Sequence, residues 1–303
     1  MITRSTRRPR IQLSTGDRVF YFLVNLFALF MFVVVLYPLI YVVSSSFSSP
    51  DAVLSGKVVF LPVEFSLEGY KTVFGYQDVL TGYMNTILYT VLGTTINIIM
   101  TLICAYPLAR KTLPFRNFFM FLFTFTMFFG GGLIPSYLLM RDLHMINTIW
   151  AIVIPGAISV YNMIIARTYM QTSIPGEMLE AAQVDGCSDA RYFFQMVLPL
   201  SKAMIAVIAL YYAVGHWNGW FNAFIYLNDR GKYPLQLFLR ESLIANTFDP
   251  DSTMDPELLQ KMRGMSDLLK YSLIVVSSAP VMLLYPFAQK YFIKGVMIGS
   301  LKG

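Results

Sequence analysis

Long stretches without a charged residue alternate with short polar segments along the whole chain. Six stretches lack Asp, Glu, Lys and Arg, and each is longer than the roughly 18 residues that a helix needs to cross a bilayer. These stretches are residues 19–50, 79–109, 117–140, 145–166, 203–228 and 271–289. The pattern therefore predicts an all-α membrane protein with six transmembrane helices.

Proline and glycine residues inside three of these stretches predict breaks in the helices. Proline removes a backbone donor, and glycine tolerates conformations that other residues avoid. We expect helices to bend or end at Pro38, at residues 130–132 together with Pro135, and at Pro155.

Composition supports the membrane assignment and narrows the function. Hydrophobic residues make up 56% of the chain and charged residues only 13%, unlike a soluble domain. The net charge of +6 comes from basic residues that flank the apolar stretches, which is typical of lipid-facing charge rather than nucleic-acid binding. No Gly-rich loop ending in Lys-Ser or Lys-Thr is present, so we expect no ATP site on this chain. Cys104 and Cys187 fall in different compartments and predict neither a disulfide nor a metal site.

The distribution of Lys and Arg predicts the orientation in the membrane. Placing the N-terminus inside puts fourteen of the 23 cations on the cytoplasmic side, where positive charge accumulates. Both termini are then cytoplasmic. The chain divides into a cytoplasmic tail (1–17), a first transmembrane helix with an outer loop (18–78), a core of five transmembrane helices (79–295) and a second cytoplasmic tail (296–303).

A polar segment between the fourth and fifth predicted spans carries strong helix punctuation. Pro175 suits the start of a short helix, and Gly186 supplies the left-handed residue at its exit. Ser188 is expected to cap a second short helix that ends at Pro199. We call this helical segment, residues 175–199, the hook. It lies on the predicted cytoplasmic side and is suited to docking into a groove of a soluble partner.

The hook resembles a known family. The pattern Glu-Ala-Ala, three residues, Gly, nine residues, Ile-x-Leu-Pro marks the permease subunits of binding-protein-dependent ABC importers. The chain departs from that pattern only at Met196, where the family has Ile, and this swap conserves apolarity and volume. The neighbouring runs 174–179 and 185–188 are similar to the carbohydrate-uptake branch. The resemblance covers roughly residues 82–295, so that 79–295 would be the ABC permease core.

The resemblance implies a role for the hook and a set of partners. The hook would be the coupling helix that seats in a cleft of a cytoplasmic ATPase. The residues implied in coupling are Glu180, Ala181, Ala182, Asp185, Gly186, Leu198 and Pro199. The implied assembly contains a second homologous permease, two ABC ATPase subunits that bind ATP and Mg, and an extracellular substrate-binding protein. The chain would be a multi-pass protein of the bacterial plasma membrane and no enzyme itself.

The fifth predicted span carries the densest cluster of amides and aromatic rings. At helical spacing Tyr211, Asn218 and Asn222 fall on one stripe, and amides in a membrane helix are costly unless they face protein or water. Amides suit sugar hydroxyls, while the rings of Trp217 and Trp220 suit the apolar face of a sugar. The candidate substrate path is Tyr211, Trp217, Asn218, Asn222 and Asn162. Asn85, Asn97 and Tyr161 are weaker candidates, and His216 is interpreted as a packed polar group.

Two other functions remain open at this point. An ABC permease for a peptide, amino acid or phosphate would keep the hook, but a charged lining would be expected. An ion-coupled secondary transporter would place ionisable residues inside the membrane. The apolar stretches lack acidic and basic residues, so an oligosaccharide permease is favoured. The outer loop 229–270 is long for a connection, which predicts either a functional surface or a solvated cap over the helix bundle.

Overall fold

A computed structural model describes residues 14–245, 264–283 and 286 of the 303-residue chain. Within these residues all regular structure is helical. A π-helical turn lies at Phe193–Val197 and a 3₁₀ turn at Arg230–Lys232. The α-helices are α1 (Thr15–Ser46), α2 (Pro50–Leu54), α3 (Glu68–Gly75), α4 (Gln77–Ala109), α5 (Arg116–Phe128), α6 (Leu133–Asp142), α7 (Trp150–Val153), α8 (Val160–Ser173), α9 (Gly176–Val184), α10 (Asp189–Tyr192), α11 (Leu198–Leu200), α12 (Lys202–Trp217), α13 (Phe221–Tyr226), α14 (Leu235–Ala245) and α15 (Gly264–Leu283).

Three of these helices are each long and apolar enough to cross a bilayer, namely α1, α4 and α15. Two bent pairs qualify when each pair is counted as one span. These are α5 with α6, bent by 111°, and Asp189–Leu200 with α12, bent by 78°. The described part of the chain therefore contains three to five potential spans. The all-α class is confirmed, whereas the count of six stays a prediction.

The glycine and proline residues explain why two predicted stretches do not form single straight helices. The stretch 117–140 bends at residues 130–132, where Gly132 has a φ of +86°. The stretch 145–166 is divided into α7 and α8 by a turn at residues 154–159, in which Gly156 has a φ of +84°. By contrast, α1 does not end at Pro38. Membrane helices tolerate proline when neighbouring groups replace the lost backbone bond.

Two other boundaries differ from the predicted ones. The stretch 203–228 is split because α12 ends at Trp217 and α13 begins at Phe221. The last helix begins at Gly264, seven residues before the predicted start at Tyr271. Its extra turns hold Asp267 and Lys270, whose side chains form an ion pair of 2.8 Å one helical turn apart. The tail 1–13, the loop residues 246–263 and the C-terminal tail lie outside the described residues.

The chain forms two compact units. The first contains residues 14–69 and 264–272 of the described chain. A capping box opens α1, in which the Ser14 hydroxyl accepts from the Asp17 N–H and the Asp17 carboxylate accepts from the Ser14 N–H, both at 3.1 Å. The rings of Tyr41 and Tyr271 meet edge to face with centroids 5.7 Å apart. No residue in the apolar window of α1 is buried. Lipid or another protein must therefore cover this helix.

The second unit contains residues 70–245 and 273–283 of the described chain. In this unit α4 packs against α8, α12 and α14. Buried residues of α4, α8, α9 and α12 and of the segment between the last two form a common apolar core. They are Leu102, Ala105, Leu108, Met163, Ala166, Met170, Ala182, Tyr192, Val197, Met204, Ile208 and Tyr212.

Two glycines allow α4 to approach its neighbours closely. A Cβ atom at Gly93 would overlap the imidazole of His216 on α12. A Cβ atom at Gly82 would lie 2.8 Å from the ring of Phe238 on α14. Small residues at helix contacts serve this purpose in membrane proteins, where helices associate largely through close packing.

Gly93→Ala should lower the thermal unfolding midpoint of the purified permease complex. The added methyl group has to displace His216, and overpacking of this kind costs about 1–3 kcal/mol. The matched control is Gly75→Ala at the end of α3, where a Cβ would meet nothing within 4 Å. Equal midpoints for the two variants would show that α4 and α12 have room for a methyl group at position 93.

Candidate functional site

A cavity of about 540 Å³ lies in the second unit where two breaks between helices face the middle of α4. It is bordered by the C-terminal end of α12, the start of α13, the turn at residues 154–159 and the middle of α4. None of its lining residues is acidic, Lys or Arg. The polar side chains of the lining are Asn97, Ser159, Asn162, Tyr211, Tyr212, His216, Asn218 and Asn222, beside the indole of Trp220.

The break between α12 and α13 forms one wall of this cavity. Asn218 ends α12 as its C-cap, and its N–H donates to Val214 O at 3.1 Å. Gly219 follows with its N–H donating to His216 O at 3.1 Å. The stripe predicted along one continuous helix is therefore wrong in its geometry, because Asn-Gly favours a turn over continued helix. The turn nevertheless keeps Tyr211, Asn218 and Asn222 on the same cavity.

A buried amide on α4 joins two walls of the cavity. Asn97 is 1% exposed, and its side-chain N–H donates to Gly156 O at 2.9 Å. Since the amide nitrogen is used in this way, the amide oxygen accepts from Nε2–H of His216, 2.6 Å away. One side chain of α4 thus holds both the turn at residues 154–159 and the end of α12.

One turn further along α4, a second set of hydrogen bonds supports the same walls. The hydroxyls of Thr101 and Tyr212 are 2.6 Å apart and form a hydrogen bond in which either can donate. The Tyr212 hydroxyl also accepts from the Ser159 N–H at 3.1 Å, at the start of α8. Ser159 in turn caps α8, because its side chain accepts from the Asn162 N–H at 3.4 Å. All residues of this hydrogen-bond network belong to the second unit.

Four of the five residues predicted for the substrate path line this cavity, namely Tyr211, Asn162, Asn218 and Asn222. The fifth, Trp217, does not. It is 7% exposed, its indole N–H donates to Ser277 O at 2.9 Å, and its ring packs edge to face on Tyr83. The indole therefore joins α12 to α15 and α4, and we correct its assignment from sugar contact to helix packing.

Two residues that build the cavity, Asn97 and His216, are not among the five main candidates predicted from the sequence. Asn97 was a weak candidate, and His216 was interpreted as a packed polar group, which its contact with Asn97 supports. Gly93 and Asn97 are four residues apart on α4 and therefore share one face. The sequence does contain a signal for this contact. It is a glycine one helical turn from an asparagine in one span, together with a histidine in another span. Tyr161 is exposed and lies outside the lining, and Asn85 instead donates to the carbonyls of Gly231 and Tyr233.

The first half of the hook is α9, preceded by Pro175 at its N-cap. The helix ends at Val184, and Gly186 follows with a φ of +71°. The Cys187 N–H donates to Ala182 O at 2.8 Å and the Gly186 N–H to Gln183 O at 3.0 Å. These two bonds form a Schellman exit, which requires a left-handed residue at the position of Gly186.

The second half of the hook is helical but irregular. The Ser188 side chain caps α10 by accepting from the Arg191 N–H at 3.3 Å, as predicted. The predicted end at Pro199 is wrong by one residue, because the helix passes through a π-helical turn and reaches Leu200. Pro199 lacks a donor, and the wider turn before it together with the 78° bend after it accommodates that loss.

Burial separates the hook into an anchored face and an exposed face. Ala182 is 4% exposed and belongs to the apolar core, and Leu198 packs against that core. Glu180, Ala181, Asp185, Gly186 and Pro199 are exposed. Val184, next to the exit, is 88% exposed although it is apolar.

An ion pair ties the hook to the end of α4. The Arg110 guanidinium donates to the Asp189 carboxylate at 2.5 Å, and its side chain is only 15% exposed. Burial by itself lowers the pKa of Arg110, but the hydrogen bond to Asp189 and nearby charges outweigh burial, and the pKa is raised. Because Asp189 is 64% exposed, the pair adds little stability and serves mainly to orient the two segments.

Within the part of the chain that the structure describes, no group of three or more His, Cys, Asp or Glu side chains could hold a metal ion. The chemistry that the cavity offers is hydrogen bonding by neutral amides and hydroxyls beside aromatic rings. Such a lining is suited to a neutral polar molecule.

Three relatives and one solved structure resemble the chain over nearly its full length. It is 37% identical over 95% of its length, and 99% of the relative's, to the polygalacturonan/rhamnogalacturonan transport system permease protein YtcP of Bacillus subtilis. It is 38% identical to the protein LplC of the same organism over 88% of the chain and 89% of LplC. The galactooligosaccharides transport system permease protein GanQ of Bacillus subtilis is 29% identical, with coverage of 90% and 93%.

The solved structure is a bacterial ABC transporter involved in the import of the acidic polysaccharide alginate. One of its chains superposes with a TM-score of 0.83 and 34% identity, over 93% of this chain and 99% of that one. No protein-family model matches the chain.

Asn97→Leu should destabilise the purified complex by about 1–2 kcal/mol, because it leaves the His216 N–H and the Gly156 carbonyl without their partner. The measurement is thermal unfolding in detergent. The control is Thr95→Val on the same helix, since Thr95 is exposed and bonds only to Val91 of its own helix. An Asn97→Leu variant as stable as Thr95→Val would mean that the amide does not hold the two walls together.

Proposed function

The chain belongs to the permease subunits of carbohydrate ABC importers, and we propose that it translocates oligosaccharides across a bacterial plasma membrane. The observation that carries this proposal is the neutral cavity, in which Asn162, Asn218 and Asn222 lie beside Tyr211 and Trp220. Amides pair with hydroxyls as donor and acceptor, and flat rings cover the apolar face of a pyranose. The relatives named for polygalacturonan, rhamnogalacturonan and galactooligosaccharides support sugar as the cargo class.

The lining also decides between the remaining alternatives. A permease for phosphate or an amino acid needs a charge to pair with its cargo, and an ion-coupled transporter needs an ionisable group in the membrane. Among the residues that line the cavity, His216 is the one member of the Asp, Glu, His, Lys and Arg types, and its Nε2–H is already used by Asn97. The hydroxyls and ring faces of an oligosaccharide need neither charge, so the lining favours a sugar, and most of all an uncharged one.

We assign the hook to coupling with a separate ATPase. Its exposed face combines Glu180 and Asp185 with the apolar Val184, a mixture suited to a groove on a soluble protein. Its anchored face, through Ala182 and the Arg110–Asp189 pair, connects it to the core that surrounds α4. A force applied to the hook would therefore move this core as one body.

The proposed cycle is alternating access by rigid-body motion. ATP and Mg bind to two partner ATPase subunits, whose closure rotates this chain and a second homologous permease through their hooks. The cavity opens outward, accepts sugar from an extracellular binding protein that touches the outer loops, and opens inward after hydrolysis. In this scheme the chain has six spans and cytoplasmic termini, binds no cofactor and performs no covalent chemistry.

Gly186→Val should uncouple ATP hydrolysis from substrate. A β-branched residue at a φ of +71° strains the exit of α9 by more than about 1 kcal/mol and displaces the docking face. ATPase activity stimulated by the loaded binding protein should fall several-fold in the reconstituted complex, while membrane insertion is unchanged.

The control for this variant is Gly176→Ala at the start of the same helix. Its backbone is in the ordinary region and a Cβ would meet nothing within 4 Å, so stimulation should persist. Normal stimulation in Gly186→Val would refute the assignment of the hook to coupling.

Asn218→Leu and Asn222→Leu should each reduce oligosaccharide uptake about fivefold or more, since each removes hydrogen bonds worth about 1 kcal/mol to the cargo. Expression and basal ATP hydrolysis should persist because Leu is at home in a membrane helix. The measurement is uptake into proteoliposomes per folded complex, paired with thermal unfolding of the same samples.

Phe224→Leu provides a control on α13, because Phe224 is 60% exposed and does not line the cavity. If the two asparagines only join helices, their variants will unfold at lower temperature and transport normally per folded complex. That combination would remove them from the substrate path.

A further inference from the structure

A second cavity of about 690 Å³ lies beside the hook and plays no part in the proposed transport path. It is enclosed by the end of α4, the start of α5, the C-terminal half of α8 and one side of α9. All of these segments belong to the second unit. Four cationic side chains line it: Arg110, Lys111, Arg116 and Arg167.

The positive charge of this cavity is largely unneutralised. Arg110 is paired with Asp189, but within the described residues Lys111, Arg116 and Arg167 form no ion pair. Glu180 is the one acidic residue in the lining, and it too forms no ion pair with a described residue. Like charges in one partly buried site repel each other, so an anion would bind favourably among them.

The orientation of Arg167 shows that its charge is held in place. Its Nε–H donates to Leu108 O at 3.0 Å. This carbonyl is one of the last four of α4, which have no partner within an α-helix. This bond leaves the terminal nitrogens of the guanidinium available. Burial lowers the pKa of Arg167, and the neighbouring charge of Arg116 lowers it further. Both effects are those of a cation without a counterion.

The lining also contains the apolar residues Met170, Ile174, Leu179 and Val197, which we call its floor and of which Met170 and Val197 are buried. The four cationic side chains are less buried and form its rim. A soluble phosphate would use only the rim, whereas a phospholipid would use both parts. The positive-inside bias accounts for basic residues on this side of the membrane. It does not account for their convergence on one cavity from two helices and the loop after α4.

We propose that this cavity binds the headgroup of an anionic phospholipid of the cytoplasmic leaflet. The phosphate would lie among Lys111, Arg116 and Arg167, and the glycerol and upper acyl chain would cover the apolar floor. Basic pockets between membrane helices on this side are suited to such headgroups. A bound lipid would join the loop after α4 to α9 and so stabilise the base of the hook.

The experiment titrates phosphatidylglycerol into the delipidated complex of this permease with its partner subunits, in detergent, and measures bound lipid by native mass spectrometry together with the thermal midpoint. The test variant is Lys111→Gln/Arg116→Gln. Neither side chain forms an ion pair with a described residue, and Arg116 begins α5, where a cation is unfavourable. The control is Lys202→Gln, an exposed cation outside the cavity.

Wild type and Lys202→Gln should bind phosphatidylglycerol and unfold at a higher temperature when it is present. The double variant should bind about 25-fold more weakly, since each cation near a lipid surface changes affinity about fivefold. Phosphatidylcholine should have little effect on any of the three.

Three outcomes would overturn the proposal. Equal phosphatidylglycerol binding by the double variant would place the lipid elsewhere. A midpoint raised equally by inorganic phosphate or glycerol phosphate would identify a soluble anion as the ligand. Loss of ATPase subunits from the double variant, with lipid binding unchanged, would assign the cavity to the ATPase interface instead.

Discussion

The hydrogen bonds that α4 makes from its buried side chains are the constraint on which the second unit depends. A bilayer offers no water to a polar group, so a buried amide there is costly unless it finds a partner within the protein. Asn97 satisfies Gly156 and His216 together, and the hydroxyls of Thr101 and Tyr212 hydrogen-bond to each other. The glycine at position 93 makes this possible because only a residue without a Cβ lets the imidazole approach.

The same bonds explain why a cavity exists at this position. The turn at residues 154–159 and the end of α12 are both irregular, and their carbonyls and amides would be costly in lipid. Held against α4, they enclose a polar space instead of a packed contact. From that space α12 runs back to the hook over 16 residues, about 24 Å at the usual helical rise. One rigid helix therefore connects the cavity with the segment that faces the ATPase in the proposed cycle.

Helix ends that depend on neighbouring residues were predictable from the sequence, whereas contacts between distant segments were not. The exit at Gly186 and the cap at Ser188 depend on residues a few positions apart, so the sequence predicted them closely. The role of Trp217 depends on a carbonyl of α15, 60 residues away, and no local pattern indicates it. The break after Asn218 was missed because the apolar stretch continues through it, although Asn-Gly is itself a turn signal. Membership of the family was evident from the hook alone, whereas the residues that surround the cavity needed the fold.

In the proposed cycle the oligosaccharide passes through the cavity at Asn222. This passage is tested most directly by thiol protection in a complex whose two free cysteines, Cys104 and Cys187, have been replaced. Asn222→Cys would be alkylated in proteoliposomes with and without cargo delivered by the binding protein, beside Leu88→Cys on the exposed face of α4. The account predicts that cargo slows the labelling of Asn222→Cys several-fold and leaves Leu88→Cys unchanged. Equal labelling rates at Asn222→Cys with and without cargo, in a complex that still transports, would contradict it.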